Sequence, residues 1–271
     1  MTTPWDDLEQ QRHEILRAAG EAVGAVAREV VRNYHRLEVQ GQVPDTPGPV
    51  LFVGHHGYGG LYDLNTFASW AILLDLQPRD RPLSALAHGL IWSFRMGSFA
   101  QGLGCVPANA DSAAAELAAG HDLMVFPGGD LEAAKTFRER DQIRFHGRSG
   151  FARLAIEHGI PIVPLVVAGA GETAMVLASG ETLAKVTRID KLLRMKALPV
   201  ALSLPFGLTV GTNGLPIPLP YLPLPAKLVA RVLAPMPATE QESPRAYAAR
   251  VEAAMQVALT ELTRERRFLR G

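Results

Sequence analysis

Two imidazoles stand side by side at positions 55 and 56, glycines occupy 57, 59 and 60, and a single carboxylate, Asp63, follows. A neutral imidazole beside a carboxylate is a general base whose tautomer and orientation its partner fixes. Glycines around it let a substrate head group or backbone approach closely. The combination suits proton abstraction from a hydroxyl, whereas a bare His-His pair would simply decorate a loop.

The flanking segments say where this stretch sits. Before it, Val50–Val53 has the apolar, β-branched and aromatic character of a buried strand; after it, Leu64–Leu74 is long and apolar enough for a helix. The His and the Asp are therefore expected on a strand-to-helix connection, where α/β proteins commonly place their chemistry. Further strand-like runs are Leu83–Ala87, Asp122–Phe126 and Ile160–Ala168, alternating with helix-like runs at Leu90–Leu103, Ser112–Ala119 and Gly150–His158. This alternation predicts an α/β domain with a mostly parallel central sheet flanked by helices. Residues 1–40 read as a charged N-terminal helical leader, with apolar positions from Leu8 to Val31 at helical spacing. Such a helix either packs on the core or lies on a membrane surface, with Trp5 near its start. The rest, 41–271, reads as one α/β domain. Within it, 197–225 holds seven prolines among Leu, Val and Ile, so neither a helix nor a central strand is expected there. That window must cover its apolar residues against the core, a partner or lipid. Lys227–Leu233 reads as a last strand and Pro244–Leu269 as a closing helix with a basic end.

Composition narrows the function classes. With 271 residues the chain can bury a sizeable core, and 27 basic residues balance 27 acidic ones, which gives no field for nucleic acid. The one cysteine, Cys105, excludes a disulfide framework or a cysteine zinc cluster and reads as a buried small residue. Met1–Arg17 is too charged for a signal peptide, and no uncharged run reaches the ~18 residues of a spanning helix. The expected location is cytoplasmic, peripheral at the inner face of a membrane.

Four blocks occur in order: Gly54-His55-His56 to Asp63; Gly104-Cys105-Val106-Pro107-Ala108-Asn109; Phe126-Pro127-Gly128-Gly129-Asp130-Leu131-Glu132; and Gly147-Arg148-Ser149-Gly150-Phe151 running to Ile162-Val163-Pro164. Over roughly 48–170 this series resembles the glycerolipid acyltransferase superfamily. Within it, the series is most similar to the neutral-lipid branch of diacylglycerol acyltransferase type 2 and its relatives. The superfamily's first block commonly separates His and Asp by four residues, whereas six separate His56 from Asp63 here, and a glycine-rich loop can absorb the difference.

The resemblance implies transfer of an acyl group from acyl-CoA or acyl carrier protein to a hydroxyl of a lipid-like acceptor. No cofactor and no metal are implied, since acyl-CoA is a substrate. His56 stands at the base position, Asp63 orients it, and His55 is expected to be a loop residue bonded to its own backbone. Pro127, Gly128 and Gly129 form the turn whose N–H groups are candidate oxyanion donors, or else simply a tight turn. Asn109 either meets the acceptor or caps a helix before Ser112. Arg148 either binds a phosphate or head group or is solvated, and Glu132 is expected to pair with a cation. Gly128-Gly129-Asp130-Leu131 stand where phosphate-binding relatives carry Glu-Gly-Thr-Arg, and the carboxylates Asp130 and Glu132 would repel a phosphate, which implies a neutral acceptor.

Rival readings are a non-catalytic lipid-binding protein on the same scaffold and a lysophospholipid acyltransferase. A dinucleotide site is suggested only weakly by Gly169-Ala170-Gly171-Glu172-Thr173-Ala174 with Asp190. No Gly-x-Ser-x-Gly marks a serine hydrolase, and the paired histidines lack the spacing of a zinc site.

Overall fold

Ile162–Ala168 is buried at every position, as a strand must be when helices cover both faces of its sheet. Its side chains divide by parity. Ile162, Val166 and Ala168 join one apolar cluster, while Val163, Leu165 and Val167 join the cluster on the opposite face. The computed structural model describes residues 4–58, 63–93, 96–192, 195–211, 222–264 and 266–271. In chain order the strands are β1 (Glu38–Gln40), β2 (Leu51–Val53), β3 (Leu83–Ala87), β4 (Cys105–Pro107), β5 (Asp122–Val125), β6 (Ile162–Ala168), β7 (Met175–Ala178), β8 (Val200–Ser203), β9 (Gly207–Val210) and β10 (Val229–Val232). Seven of them form one sheet in the order β1-β10-β6-β2-β5-β3-β4, parallel throughout except for the antiparallel β10–β6 pair. The mostly parallel α/β sheet flanked by helices is thus present.

The described α-helices are α1 (Pro4–Glu29), α2 (Leu64–Trp70), α3 (Gly89–Ser93), α4 (Gly97–Gly102), α5 (Ala110–Ala118), α6 (Gly129–Ala133), α7 (Gly150–Glu157), α8 (Glu181–Val186), α9 (Ile189–Leu192) and α10 (Pro244–Arg264), and a π segment, Ala71–Leu76, extends α2. Helices α7 and α10 cover one face through Phe151, Tyr247 and Met255, and α2 covers the other through Phe67, Ala68 and Trp70. The N-terminal helix runs into a π turn over Val30–Tyr34 and packs on α4, where Gly20 and Gly102 let the backbones meet.

Several expectations change. Residues 38–40 of the leader form an edge strand parallel to β10, so its last segment belongs to the main sheet. The long helix expected over Leu90–Leu103 is two short ones, and the closing helix ends at Arg264. The Pro-rich window holds two strands, and β8 is the centre of a three-stranded antiparallel sheet β7-β8-β9. The strands fit because Pro199 and Pro205 flank β8 rather than interrupt its ladder. Residues 212–221 of that window, with Pro216, Pro218 and Pro220, lie outside the described residues, as do 59–62 of the first block. The suggested dinucleotide loop is contradicted: Gly169–Thr173 is a 3-10 turn leading into a strand, not a helix. There, a Cβ on Gly169 or Gly171 would strike the Lys227 carbonyl or the Arg140 side chain. Glu172 is buried in an ion pair with Arg266.

Candidate active site

Strand β2 lies between β5 and β6, so its carboxyl end opens at the middle of the sheet. His56 emerges there, three residues beyond Val53. Its Nδ1 lies 2.6 Å from Asp63 Oδ2. A carboxylate at that distance accepts a hydrogen bond from Nδ1–H, a tautomer that leaves the lone pair on Nε2. The longer His–Asp spacing closes because Asp63 begins α2. Its Oδ1 accepts Asn65 N–H at 2.9 Å as an N-cap, and both of its oxygens accept Gly57 N–H at 3.1 Å. Asp63 is fully buried, whereas 18 % of the His56 side chain stays exposed. The imidazole is thus partly open to solvent while its partner is buried. The ring leans on Phe126 with centroids 5.2 Å apart, and Gly54 permits this because a Cβ there would sit 2.4 Å from the phenyl ring.

His55 departs from its expected role. It is buried, and its Nε2 accepts the backbone N–H of Val167, 112 residues away in β6, at 3.1 Å. Asn65 Nδ2 donates to the His55 carbonyl at 3.1 Å. Burial, helped by the nearby positive charge of Lys135, holds the His55 pKa well below the ordinary imidazole value. It is a neutral pin that ties the first block to the neighbouring strand.

The third block folds onto the first. Glu132 is buried; its Oε2 accepts the His56 backbone N–H at 3.0 Å and its Oε1 accepts Arg144 N–H at 3.1 Å. Lys135 Nζ stands 3.9 Å from Glu132 Oε1 and donates to the Gln142 carbonyl at 2.9 Å. Burial lowers the Lys135 pKa, against the pull of Glu132 and Asp63. Lys135 was missed in the sequence reading; its position three residues after Glu132, a helical pairing distance, was the available signal. Gly128 and Gly129 have packing roles. A Cβ on Gly128 would meet Glu132 Oε2 at 2.0 Å, and one on Gly129, whose φ is +56°, would meet Arg148 Nη1 at 2.0 Å. The Gly129 N–H is turned back to the Phe126 carbonyl at 3.4 Å.

Arg148 is held from inside. Its Nη1 donates to the Pro127 carbonyl at 3.1 Å and the Gly128 carbonyl at 2.7 Å, and its Nη2 pairs with Asp130 Oδ1 at 2.9 Å. Burial tends to raise the Asp130 pKa, but the Lys196 N–H and Arg148 outweigh it and hold the carboxyl below its ordinary value. Asn109 is not brought to this cluster by any described contact. It follows edge strand β4 and caps α5, accepting Ser112 N–H at 2.8 Å. Burial pushes the Cys105 thiol up to about 12, so it is no nucleophile at neutral pH.

The cluster offers a buried carboxylate, an imidazole whose Nε2 has no hydrogen-bond partner among the described residues, and a turn folded against them. Residues 36–168 match the family model named Acyltransferase. An uncharacterised protein of Mycobacterium tuberculosis is 29 % identical over 203 residues, covering 72 % of this chain and 53 % of that protein. Phytyl ester synthase 1, chloroplastic, of Arabidopsis thaliana is 26 % identical over 180 residues, covering 64 % of this chain and 25 % of that protein. The chain thus spans about half the length of the mycobacterial relative. Among solved structures, the 1-acyl-sn-glycerophosphate (LPA) acyltransferase PlsC from Thermotoga maritima superposes with a TM-score of 0.51. The match has 14 % identity and covers 94 % of this chain and 83 % of that one.

Proposed function

We propose that this chain, whose residues 36–168 match the Acyltransferase family model, moves an acyl group from a thioester donor, acyl-CoA or acyl carrier protein, to the hydroxyl of a neutral lipid-like acceptor. The single observation that carries the reading is the 2.6 Å His56 Nδ1–Asp63 Oδ2 contact at the carboxyl end of a central strand. With Nδ1 committed to Asp63, Nε2 takes the acceptor's hydroxyl proton as its oxygen attacks the thioester carbonyl. The C–O bond forms, the C–S bond breaks as the tetrahedral intermediate collapses, and the proton passes from Nε2 to the departing thiolate. Asp63 keeps the required tautomer and stabilises the imidazolium while it exists, as in hydrolase triads but without a protein nucleophile.

The acceptor's neutrality rests on charge. A dianionic phosphate calls for free bidentate cations. Arg148 already serves two carbonyls and Asp130, Lys135 is engaged with Glu132 and the Gln142 carbonyl, and Glu132 places a second carboxylate nearby. This favours the neutral-lipid side of the superfamily, with mono- or diacylglycerol, sterol-like or long-chain alcohols as acceptors. The relative named phytyl ester synthase is compatible with an alcohol acceptor.

The test is thiol release from several acyl-CoAs with purified protein, using neutral acceptors and lysophosphatidate in parallel. Transfer to a neutral acceptor, lost on His56→Ala, is the expected result. Preference for lysophosphatidate by tenfold, about 1.4 kcal/mol in transition-state binding, would replace the acceptor assignment with a lysophospholipid one. Lipid binding without any turnover would leave a non-catalytic binding protein.

A further inference from the structure

The small sheet has one face packed and one face bare. Val176 and Ala201 point inward and pack with Ala174 and with Tyr58 of the first block. On the opposite face the register sets Met175 against Leu202 and Leu202 against Leu208, so the three side chains form one cross-strand row. All three are exposed, with Leu208 at 64 %. The β8–β9 turn adds an apolar tip, where Leu204 and Phe206 are also exposed. A contiguous apolar face of this kind on a folded domain marks an interaction site.

Its surroundings identify the occupant. The connection from β7 to β8, carrying α8 and α9, presents exposed Lys185, Arg188, Lys191 and Lys196. Residues 175–211 hold five basic residues against two acidic ones, in a chain whose net charge is zero. On α8, Val186 is 75 % exposed next to Lys185. Exposed apolar side chains and exposed cations carried by one segment fit the boundary between acyl chains and anionic head groups. The sheet also adjoins the site: Tyr58, two residues after His56, packs under its inner side, and Lys196 N–H bonds Asp130 Oδ2 at 2.7 Å.

We infer that the outer face of β7-β8-β9, with the Leu204–Phe206 tip and the basic α8–α9 connection, docks this chain on an anionic bilayer, beside the His56 site. Only the purpose of the docking, delivery of a lipid acceptor, rests on the acyltransferase reading. Binding itself is measurable without donor or acceptor, so the two can fail separately.

The experiment is flotation of the full chain with vesicles of phosphatidylcholine alone, or with roughly a quarter phosphatidylglycerol, at low and high salt. Wild type is expected to float with the anionic vesicles and to be released by salt. The double variant Leu202→Glu/Leu208→Glu is expected to lose at least tenfold in bound fraction with unchanged circular dichroism, and Lys185→Glu/Lys191→Glu to lose the anionic preference. Should the leucine variant misfold, Phe206→Ser tests the same face at its tip. The control is Ile15→Glu/Val26→Glu, which alters exposed apolar residues of α1 and is expected to float like wild type. Three results would overturn the inference: no flotation of wild type on either vesicle, loss only in the α1 variant, or capture of an acidic acyl carrier protein by this face in place of vesicles.

Discussion

Glu132 Oε2 holds the backbone N–H of His56 at 3.0 Å across 76 residues of sequence, so the third block sets the height at which the first presents its imidazole. The same carboxylate, through its other oxygen, is the buried partner of Lys135. Removing one member of a buried pair leaves an uncompensated charge and typically costs about 3–5 kcal/mol. Glu132→Ala is expected to lower the unfolding free energy read from a urea titration by that order and to reduce kcat. Glu132→Gln, which can still accept the His56 N–H, should recover most of kcat and less of the stability. Equal losses in both variants would show that Glu132 supports only the fold.

His56→Ala is expected to lower kcat by about 10²–10⁴-fold, the usual worth of a general base, with the unfolding midpoint nearly unchanged. His55→Ala should behave in the opposite way, since His55 spans from β2 to Val167 of β6. Activity retained in the His56 variant but lost in a folded His55 variant would exchange their roles.

Asp63 has two functions that one substitution separates. Asp63→Ala removes both the α2 cap, worth roughly 0.5–2 kcal/mol, and the partner of His56 Nδ1. Asp63→Asn retains an oxygen for the cap but loses the anion that fixes the tautomer. It should stay near wild-type stability while kcat falls roughly as far as for His56→Ala. Thermal unfolding measured beside turnover makes the comparison.

The acid limb of stability should carry the mark of His55. Burial holds its folded pKa well below the ordinary value, while the unfolded chain protonates near 6.5. Below that pH the unfolded state binds one more proton than the folded state, so its contribution is present above about 6.5 and is lost as pH falls. The loss approaches about 1.4 kcal/mol per pH unit. His35 is also lowered by burial and acts in the same sense. The informative quantity is therefore the difference in slope between wild type and His55→Gln, read from denaturant titrations between about pH 6.5 and 5. Parallel curves would mean that His55 is protonated in the fold.

Gly129→Ala tests the Arg148 clamp. The left-handed backbone alone disfavours a Cβ by roughly 1–2 kcal/mol, and at 2.0 Å the added carbon displaces the guanidinium. Lower thermal stability is expected, and Arg148→Lys should lose stability too, because an ammonium cannot replace the forked contact. A double variant no less stable than the worse single one would place both residues in one unit.

Local pattern was enough for the α/β layering, the strands β2, β3, β5, β6 and β10, and the strand-to-helix position of His56 and Asp63. Strand and helix periods are properties of neighbouring residues, and buried strands such as Ile162–Ala168 announce themselves by continuous apolar runs. Edge strands β1 and β4 have three residues each, too few to show a period. β8 and β9 were hidden because the prolines beside them dominate the window's composition. What no local pattern can encode is which distant groups meet. Glu132 on His56, Val167 on His55 and Arg148 on Gly128 are separated by 76, 112 and 20 residues, and their contacts exist only because β2, β5 and β6 lie side by side. Two alternatives that the residue types left open, Arg148 as phosphate ligand or solvated side chain and Asn109 as acceptor contact or helix cap, turned on partners that folding supplies. The Arg148 guanidinium closes on the Pro127–Asp130 turn, a contact only tertiary geometry supplies, while the Asn109 amide closes its own helix locally; in each case the nearest partner takes up the polar group.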